Sequence, residues 1–246
     1  MNKALIYDNN CPLCVWYTGL FVKTKLLKKR IAFSEVSAED LARIDLFRSK
    51  HEIPLLDLDG GETFYGLDSL VEVLDAKIPF LKSLMRIPFV RAFFYWVYQL
   101  ISYNRRLIVG KKGCNNGFDC TPHFNFQFRT YYLTISGLVS LAVFLIFTQI
   151  TAFPMILMMS IILGISFTAP LFITTKLKLR YLYFGQYSTI TLIGAFVLLP
   201  SLFCSVLIES VPSIFWMLNL GFSFLLMMKE WRRRMEFISA EKILLQ

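Results

Sequence analysis

The second half of this chain contains few charged residues. Residues 130–246 contain 8 Lys/Arg and 4 Asp/Glu, whereas residues 1–129 contain 18 and 13. The mean hydropathy of the whole chain is +0.55, which is too apolar for an ordinary soluble protein. A soluble protein of uniform composition is therefore excluded, and the distribution predicts a soluble domain followed by a membrane domain.

The sequence also lacks a basic stripe with interleaved aromatic residues, which would indicate a nucleic-acid surface. The formal net charge is +9, and in a membrane protein such an excess is better explained by cytoplasmic anchoring. We therefore expect no nucleic acid among its partners. No apolar segment of signal-peptide length follows Met1-Asn2-Lys3, so we expect the N-terminal domain to stay in the cytoplasm.

Two of the five cysteines are spaced C-x-x-C near the N-terminus. Cys11 and Cys14 lie where the short apolar run Ala4–Tyr7 gives way to a helical pattern. The free N–H groups and the dipole at a helix N-terminus stabilise a thiolate, whose pKa can fall from ~8.5 to roughly 3.5–7.5. Pro12 suits the first helical turn, where a missing N–H costs nothing. The pattern predicts an exchange-active dithiol with Cys11 as nucleophile and Cys14 as resolving thiol.

The pattern of apolar residues over 1–77 predicts alternating strands and helices, then a hairpin and a last helix. The predicted strands are Ala4–Tyr7, Ile31–Val36, Ile53–Leu58 and Glu62–Tyr65, and the predicted helices are Cys11–Leu27, Ala38–Ser49 and Leu70–Ala76. This order, with the dithiol turn after the first strand, is the plan of a thioredoxin-like α/β domain. We assign that domain to residues 1–77.

Residues 78–129 have a different composition. Pro79 and Pro88 interrupt the segment, and its aromatic run is too short to span a bilayer. We predict a helical extension that packs on the sheet and ends in a loop with two further cysteines, Cys114 and Cys120. The alternative is a helix pair that lies on the membrane surface.

Residues 130–246 predict an all-α membrane domain of four helices. The four apolar segments are at about 131–153, 155–174, 182–208 and 213–228, and none contains Lys or Arg. Basic clusters follow the second and fourth segments, so the positive-inside rule places the 176–180 loop, the C-terminus and the N-terminal domain in the cytoplasm. We expect an integral protein of the inner (cytoplasmic) membrane, in contact with the lipid bilayer. The absence of a clear buried charge pair in the spans argues against a pump.

Three stretches together resemble the DCC family of thiol-disulfide oxidoreductases. They are Tyr7-Asp8-Asn9-Asn10-Cys11-Pro12-Leu13-Cys14, the hairpin that ends in Tyr65-Gly66, and the stretch from Asn104-Arg105-Arg106 to Cys114. The resemblance covers about residues 3–121 and implies a thioredoxin-like domain that acts on protein or small-molecule disulfides or dithiols. Asn9 stands where family members often have Gly, and Asn tolerates the same left-handed backbone. The resemblance to the thioredoxin-like plan further implies that Pro12 and a cis Pro54 lie at the substrate groove; the alternative for Pro54 is an ordinary proline at the start of a strand.

Several other residues have one or more interpretations. Asp8 either transfers the proton of Cys14 or caps the turn. Cys114 and Cys120 form a second dithiol, bind zinc with His123 and one cysteine of the first pair, or are unlinked loop thiols. Asn104 and Arg105 either bind an anion or form a structural hydrogen-bond pair. We interpret His51 as a surface loop residue and Cys204 as a residue that packs within the third span.

The function predicted from these residues is that of a membrane-anchored thiol-disulfide oxidoreductase whose Cys11–Cys14 dithiol faces the cytoplasm. We expect neither a metal nor a cofactor. One alternative is a redox-responsive sensor or scaffold domain on a membrane anchor, and the other is a zinc-binding structural domain. Catalysis of disulfide exchange separates the enzyme from both alternatives.

Overall fold

The computed structural model describes residues 2–110, 122–151, 164, 177–207 and 212–244. The chain divides into two compact units, residues 1–128 and residues 129–246. Each unit has its own hydrophobic core. The predicted fold class, an α/β N-terminal region followed by an all-α region, is confirmed.

The N-terminal unit is built on one mixed four-stranded sheet with strand order β2-β1-β3-β4. The strands are β1 (Lys3–Tyr7), β2 (Lys29–Ala32), β3 (Pro54–Asp57) and β4 (Phe64–Tyr65). β1 pairs in parallel with β2 and antiparallel with β3, and β3 pairs antiparallel with β4. This order and these directions agree with the thioredoxin-like plan predicted from the sequence.

The helices of this unit are α1 (Pro12–Lys23), α2 (Ala38–Ala42), α3 (Leu46–Ser49), α4 (Gly66–Asp75), α5 (Phe80–Leu84) and α6 (Pro88–Val109). The helix predicted over 11–27 ends early, because Lys25 adopts a left-handed backbone with φ of 57°. The helix predicted over 38–49 is two short helices, each with its own side-chain cap, Ser37 and Asp45. The predicted second strand ends at Ala32, because Phe33–Glu35 forms a 3-10 turn that buries Phe33.

Alternate residues of β1 enter two cores on opposite faces of the sheet, as the two-residue period of a strand requires. Ala4 and Ile6 pack against Leu56 on one face, and Leu5 packs against Leu55 on the other. All five side chains are almost fully buried. The second face is the one that α1 and α4 cover, through Tyr17, Phe21, Leu70 and Val73.

The 78–109 segment forms α5 and α6, as predicted, and α6 contacts both α1 and α4. Gly110 ends α6 in a left-handed conformation with φ of 62°, which glycine adopts without steric cost. Large apolar side chains are exposed on and next to α5 and α6, namely Ile78, Phe80, Ile87, Phe89, Phe93 and Phe94. Packing on the N-terminal unit and contact with a membrane surface are therefore compatible for this segment.

The C-terminal unit contains α7 (Phe126–Thr151), which begins just before it, α8 (Leu177–Leu207) and α9 (Ser213–Leu244). Hydroxyl groups join α7 to α8, where Tyr132 contacts Thr189 at 2.8 Å. Gly194 of α8 lies so close to Met227 of α9 that a side chain at position 194 would clash. Small residues of this kind allow close helix packing in membranes.

Two of these helices are long and apolar enough to cross a membrane, Phe126–Thr151 and Leu177–Ser205. They cover residues 131–151 of the first predicted span and 182–205 of the third, and the second predicted span lies outside the described residues except for Gly164. The fourth predicted span is the first half of α9. Its apolar part, 213–228, is only about 24 Å long at 1.5 Å per residue. This length is shorter than the hydrocarbon core of a bilayer, which is roughly 30 Å thick.

Candidate active site

The predicted dithiol lies at the N-terminus of α1, directly after the turn that leaves β1. Cys11 is the N-cap residue, and its sulfur accepts the backbone N–H of Cys14 at 3.5 Å. Pro12 occupies the first helical turn and is exposed, as that position permits. Both cysteines are buried and free. The local sequence thus brings the two thiols together within one turn of helix.

The environment of the two thiols separates their acidities. The hydrogen bond from the Cys14 side chain, the backbone N–H of Cys14 and the nearby Arg105 together lower the pKa of Cys11 to about 6, against the effect of burial. The pKa of Cys14 is raised, first because its thiol donates to the Cys11 sulfur and then because it is buried. Cys11 is therefore the more acidic of the two thiols, and the environment favours its thiolate while it keeps Cys14 protonated. The roles of nucleophile for Cys11 and resolving thiol for Cys14 stay predictions.

Asp8 shapes the turn that precedes Cys11. Its carboxylate accepts the backbone N–H of Asn10 at 2.9 Å, and its carbonyl accepts the N–H of Cys11 at 3.2 Å. These are the contacts of the capping interpretation. Its negative charge raises the pKa of both cysteines, so Asp8 opposes thiolate formation.

Arg105 of α6 supplies positive charge to the dithiol from outside the C-x-x-C motif. Its guanidinium donates to the Lys50 carbonyl at 3.3 Å, and its charge lowers the pKa of both Cys11 and Cys14. The adjacent Asn104 is fully buried and donates to the carbonyls of Leu100 and Phe128 at 2.8 and 3.0 Å. The two residues therefore have different roles: Asn104 is a structural hydrogen-bond donor, and Arg105 acts electrostatically on the thiols.

Pro54 begins β3 and is buried, opposite Tyr65 of β4. The predicted cis bond is wrong, because none of the peptide bonds in the described residues is cis. The Ile53 carbonyl, which precedes the proline, accepts the N–H of Gly66 and the hydroxyl of Ser69, both at 2.9 Å. These two bonds satisfy the carbonyl that precedes the proline, and trans is the ordinary form of an X–Pro peptide bond. A groove role for Pro54 stays a prediction.

A cavity of about 300 Å³ adjoins Cys14. Its wall is almost entirely apolar and comes from α1, α4 and α6, with Ile53 at its sheet side; Cys14 and Arg105 are part of the same wall. The Tyr98 hydroxyl, also in the wall, accepts the N–H of Ile53 at 3.0 Å. Burial raises the pKa of Tyr98, so this phenol stays protonated.

The second predicted thiol pair, Cys114 and Cys120, lies outside the described residues. The chain's two histidines meet, because the His51 and His123 rings lie 5.1 Å apart. His51 is half-buried, and burial lowers its pKa, so it is less exposed than its loop position predicted. Among the described residues there is no group of three His, Cys, Asp or Glu side chains that could hold a metal ion.

Sequence reasoning missed the cavity and the electrostatic role of Arg105. Both depend on α6 packing against α1, which brings together residues about 90 positions apart. The signal available in the sequence was the spacing of Tyr98, Ser102 and Arg105, which are four and three residues apart. That spacing places all three on one face of a helix, but it does not say which element that face meets.

Comparison with family models finds one match, to the DCC1-like thiol-disulfide oxidoreductases, over residues 5–111. The matched region contains the sheet, the dithiol turn and α6 with Arg105, and it ends before the C-terminal unit. Searches of the curated proteins and of the solved structures find no significant match. Over residues 5–111, which make up less than half of the chain, the sequence is similar to the DCC1-like thiol-disulfide oxidoreductases.

Proposed function

We propose that the protein is a membrane-anchored thiol-disulfide oxidoreductase in which Cys11 is the nucleophile and Cys14 the resolving thiol. The observation that carries this proposal is the capped thiol: the Cys11 sulfur accepts the Cys14 N–H at the start of α1. Nearby positive charge and the hydrogen bonds lower its pKa to about 6. A buried thiol with no such environment would have a raised pKa and would be inert.

The reaction proceeds by two exchanges at sulfur. The Cys11 thiolate attacks one sulfur of a substrate disulfide, an S–S bond forms between them, and the other substrate sulfur leaves as a thiolate that takes up a proton. Cys14 then attacks the Cys11 sulfur and releases the second substrate thiol. The dithiol loses two electrons and becomes a disulfide, while the substrate disulfide gains them and becomes two thiols.

The second step becomes easier once the first has occurred. The thiolate of Cys11 is one reason for the raised pKa of Cys14, through the hydrogen bond and through its charge. Both effects disappear when the Cys11 sulfur is bonded to the substrate sulfur in the mixed disulfide. The pKa of Cys14 then falls, and its proton becomes easier to remove. In this proposal Asp8 positions the turn. A proton-transfer role for Asp8 would need its carboxylate to leave the Asn10 N–H.

The C-terminal unit serves as the membrane anchor in this proposal. Two of its helices are long and apolar enough to span a bilayer, and large apolar side chains are exposed along α7, α8 and α9, among them Leu138, Phe203 and Leu218. The basic residues around 176–180 and 229–234 favour the cytoplasmic side for those ends. The dithiol unit then faces the cytoplasm.

The test is the redox potential and the zinc content of the purified full chain. We expect the protein to contain no zinc, to have a dithiol with a defined redox potential, and to reduce a model protein disulfide. Cys11→Ser and Cys14→Ser should each abolish both the redox potential and the reduction. Cys204→Ser is the matched control, since this half-buried cysteine belongs to the other unit, and it should change neither quantity. Stoichiometric zinc that protects Cys11 from alkylation would overturn the proposal.

The orientation has its own test. A membrane-impermeant maleimide should label Cys11 in inverted membrane vesicles and leave it unlabelled in right-side-out vesicles. Labelling of Cys11 in right-side-out vesicles alone would place the dithiol on the opposite side of the membrane and contradict the proposed orientation.

A further inference from the structure

The cavity beside Cys14 has features that the exchange chemistry leaves unused. It is formed where the outward faces of α1 and α6 meet, and it holds about 300 Å³. Leu13 and Trp16, three positions apart, contribute the α1 side, and Tyr98 and Ile101, also three apart, contribute the α6 side. Ligand pockets occupy roughly 300–1,000 Å³, so this cavity fits one small group and is too small for a folded partner.

The position of the cavity fixes what that group must be attached to. Cys14 is in its wall, one helical turn from the Cys11 sulfur, whose bond to the Cys14 N–H spans 3.5 Å. A group that fills the cavity is therefore carried on the substrate close to the sulfur that Cys11 attacks. Trp16 and Ile101 are partly exposed at the rim, so the cavity is open to solvent and a substrate can enter it.

The lining fixes the chemistry of the group. Leu13, Phe21 and Leu70 make the wall apolar, and Arg105 is the only charged residue among the lining residues of this cavity in the described part of the chain. A cationic group would meet the Arg105 charge and lose its hydration. An alkyl or aryl group would bury apolar surface at about 25 cal/mol per Å².

We propose that this cavity is a specificity subsite and that it selects disulfides with an alkyl or aryl group next to the sulfur. This inference rests on the proposed function and deepens it, because it names the substrate class. The occupied cavity holds the substrate sulfur against the dithiol during the first exchange. Polar disulfides of the same leaving group react as well, but without that gain.

The experiment uses the reduced full chain in detergent and a series of alkyl methanethiosulfonates from methyl to hexyl. Every reagent transfers its alkylthio group to Cys11 and releases the same methanesulfinate, so only the size of the apolar group changes. Rates are divided by those of N-acetylcysteine in the same micelles, which removes partitioning. We expect about a fourfold gain per methylene until the cavity is filled, the factor that corresponds to ~0.8 kcal/mol per buried CH₂.

Two isoleucines of the α6 region give a matched pair of variants. Ile101 lies at the rim of the cavity and is 45% exposed, and Ile87 lies at the start of α6, away from the cavity, and is 49% exposed. Ile101→Trp should close the cavity and abolish the dependence of the rate on chain length. Ile87→Trp should behave as the unmodified protein. Ile101→Ser and Ile87→Ser repeat the comparison with smaller side chains.

The outcomes separate the subsite from the function. If no reagent reacts faster with the protein than with N-acetylcysteine and no disulfide is reduced, the proposed function itself fails. If disulfides are reduced but the rate is independent of chain length, the subsite is refuted and the oxidoreductase stands. Equal loss in the Ile101 and Ile87 variants also refutes the subsite, because it would place the effect outside the cavity.

Discussion

The sheet of the N-terminal unit and the helices of the C-terminal unit differ in what they bury. In the N-terminal unit the fully buried side chains of the sheet are apolar, among them Leu5, Ile6 and Leu56. In the C-terminal unit fully buried residues include Gln186, Ser223 and Arg234, while large apolar residues are exposed on all three described helices. A wholly apolar sheet core suits a unit that is surrounded by water, whereas exposed apolar side chains along the helices are what the proposed membrane anchor requires.

The arginines sharpen this comparison. In the N-terminal unit Arg105 lies half-buried beside the dithiol and bonds to the Lys50 carbonyl. In the C-terminal unit Arg234 is fully buried, and it pairs with Glu230 at 3.1 Å and bonds to Gln186. The first arginine tunes a reactive group, whereas the second ties α9 to α8. The same side chain thus has an electrostatic task in one unit and a structural task in the other.

The largest expected effect is on the buried pair of the C-terminal unit. Glu230→Gln leaves the buried Arg234 without its carboxylate, and breaking such a pair costs about 3–5 kcal/mol. The matched control is Arg233→Gln, since Arg233 pairs with the same carboxylate but its side chain is 43% exposed against 1% for Arg234. The control should cost about 1 kcal/mol or less. Thermal unfolding of the full chain in detergent measures both, and equal losses would contradict the distinction.

The second largest effect is expected from placing a charge on an exposed helix position in each of the two units. Leu141 of α7 and Leu20 of α1 are exposed to similar extents, 46% and 43%. Leu141→Arg should reduce membrane integration, because Arg at the centre of a spanning helix costs about 2.5–3.5 kcal/mol on the insertion scale. Leu20→Arg should leave it unchanged. The measurement is the fraction of protein that resists alkaline extraction from membranes. A protein that integrates equally well with Arg at either position would refute the membrane role of α7.

A smaller effect is expected at the dithiol. Arg105→Met removes positive charge that lowers the pKa of Cys11, so that pKa should rise and the thiolate fraction at pH 6 should fall roughly two- to fivefold. Arg105→Lys should keep most of the thiolate fraction at pH 6, because it keeps the positive charge. Arg91→Met is the control, because Arg91 pairs with Asp68 on the exposed side of α6. Thiolate absorbance followed against pH reports the pKa directly, and an unchanged midpoint would exclude the electrostatic role.

The smallest effect is expected from Asp8→Asn. The amide oxygen can still accept the Asn10 N–H, so the turn survives, and loss of the negative charge should lower the pKa of Cys11 slightly. We expect the rate of release from a Cys11 mixed disulfide to stay within roughly twofold, because Asp8 acts on the turn. Stopped-flow measurement of that release decides the point. A fall of roughly 100-fold or more would instead identify Asp8 as the proton acceptor of Cys14.

The sequence predicted most of the N-terminal fold because its signals are local. The alternation in β1, the C-x-x-C at a helix start and the Ser37 cap depend on neighbours within a few residues. The errors arose where packing overrode local preference. Phe33 turned out of the predicted second strand into the core, and α1 stopped where Lys25 took a left-handed backbone. The cis form expected for Pro54 came from the thioredoxin-like plan, and the structure has the trans form that most X–Pro bonds adopt.

By itself, then, the sequence determined the order of elements, the division into two units and the pair of thiols, since each of these follows from spacing along the chain. The tertiary structure alone decided which charge the thiols meet and what space adjoins them. Cys14 and Arg105 share a cavity wall only because α6 packs against α1. Electrostatic and apolar contacts depend on distance in space, and sequence separation carries no information about that distance.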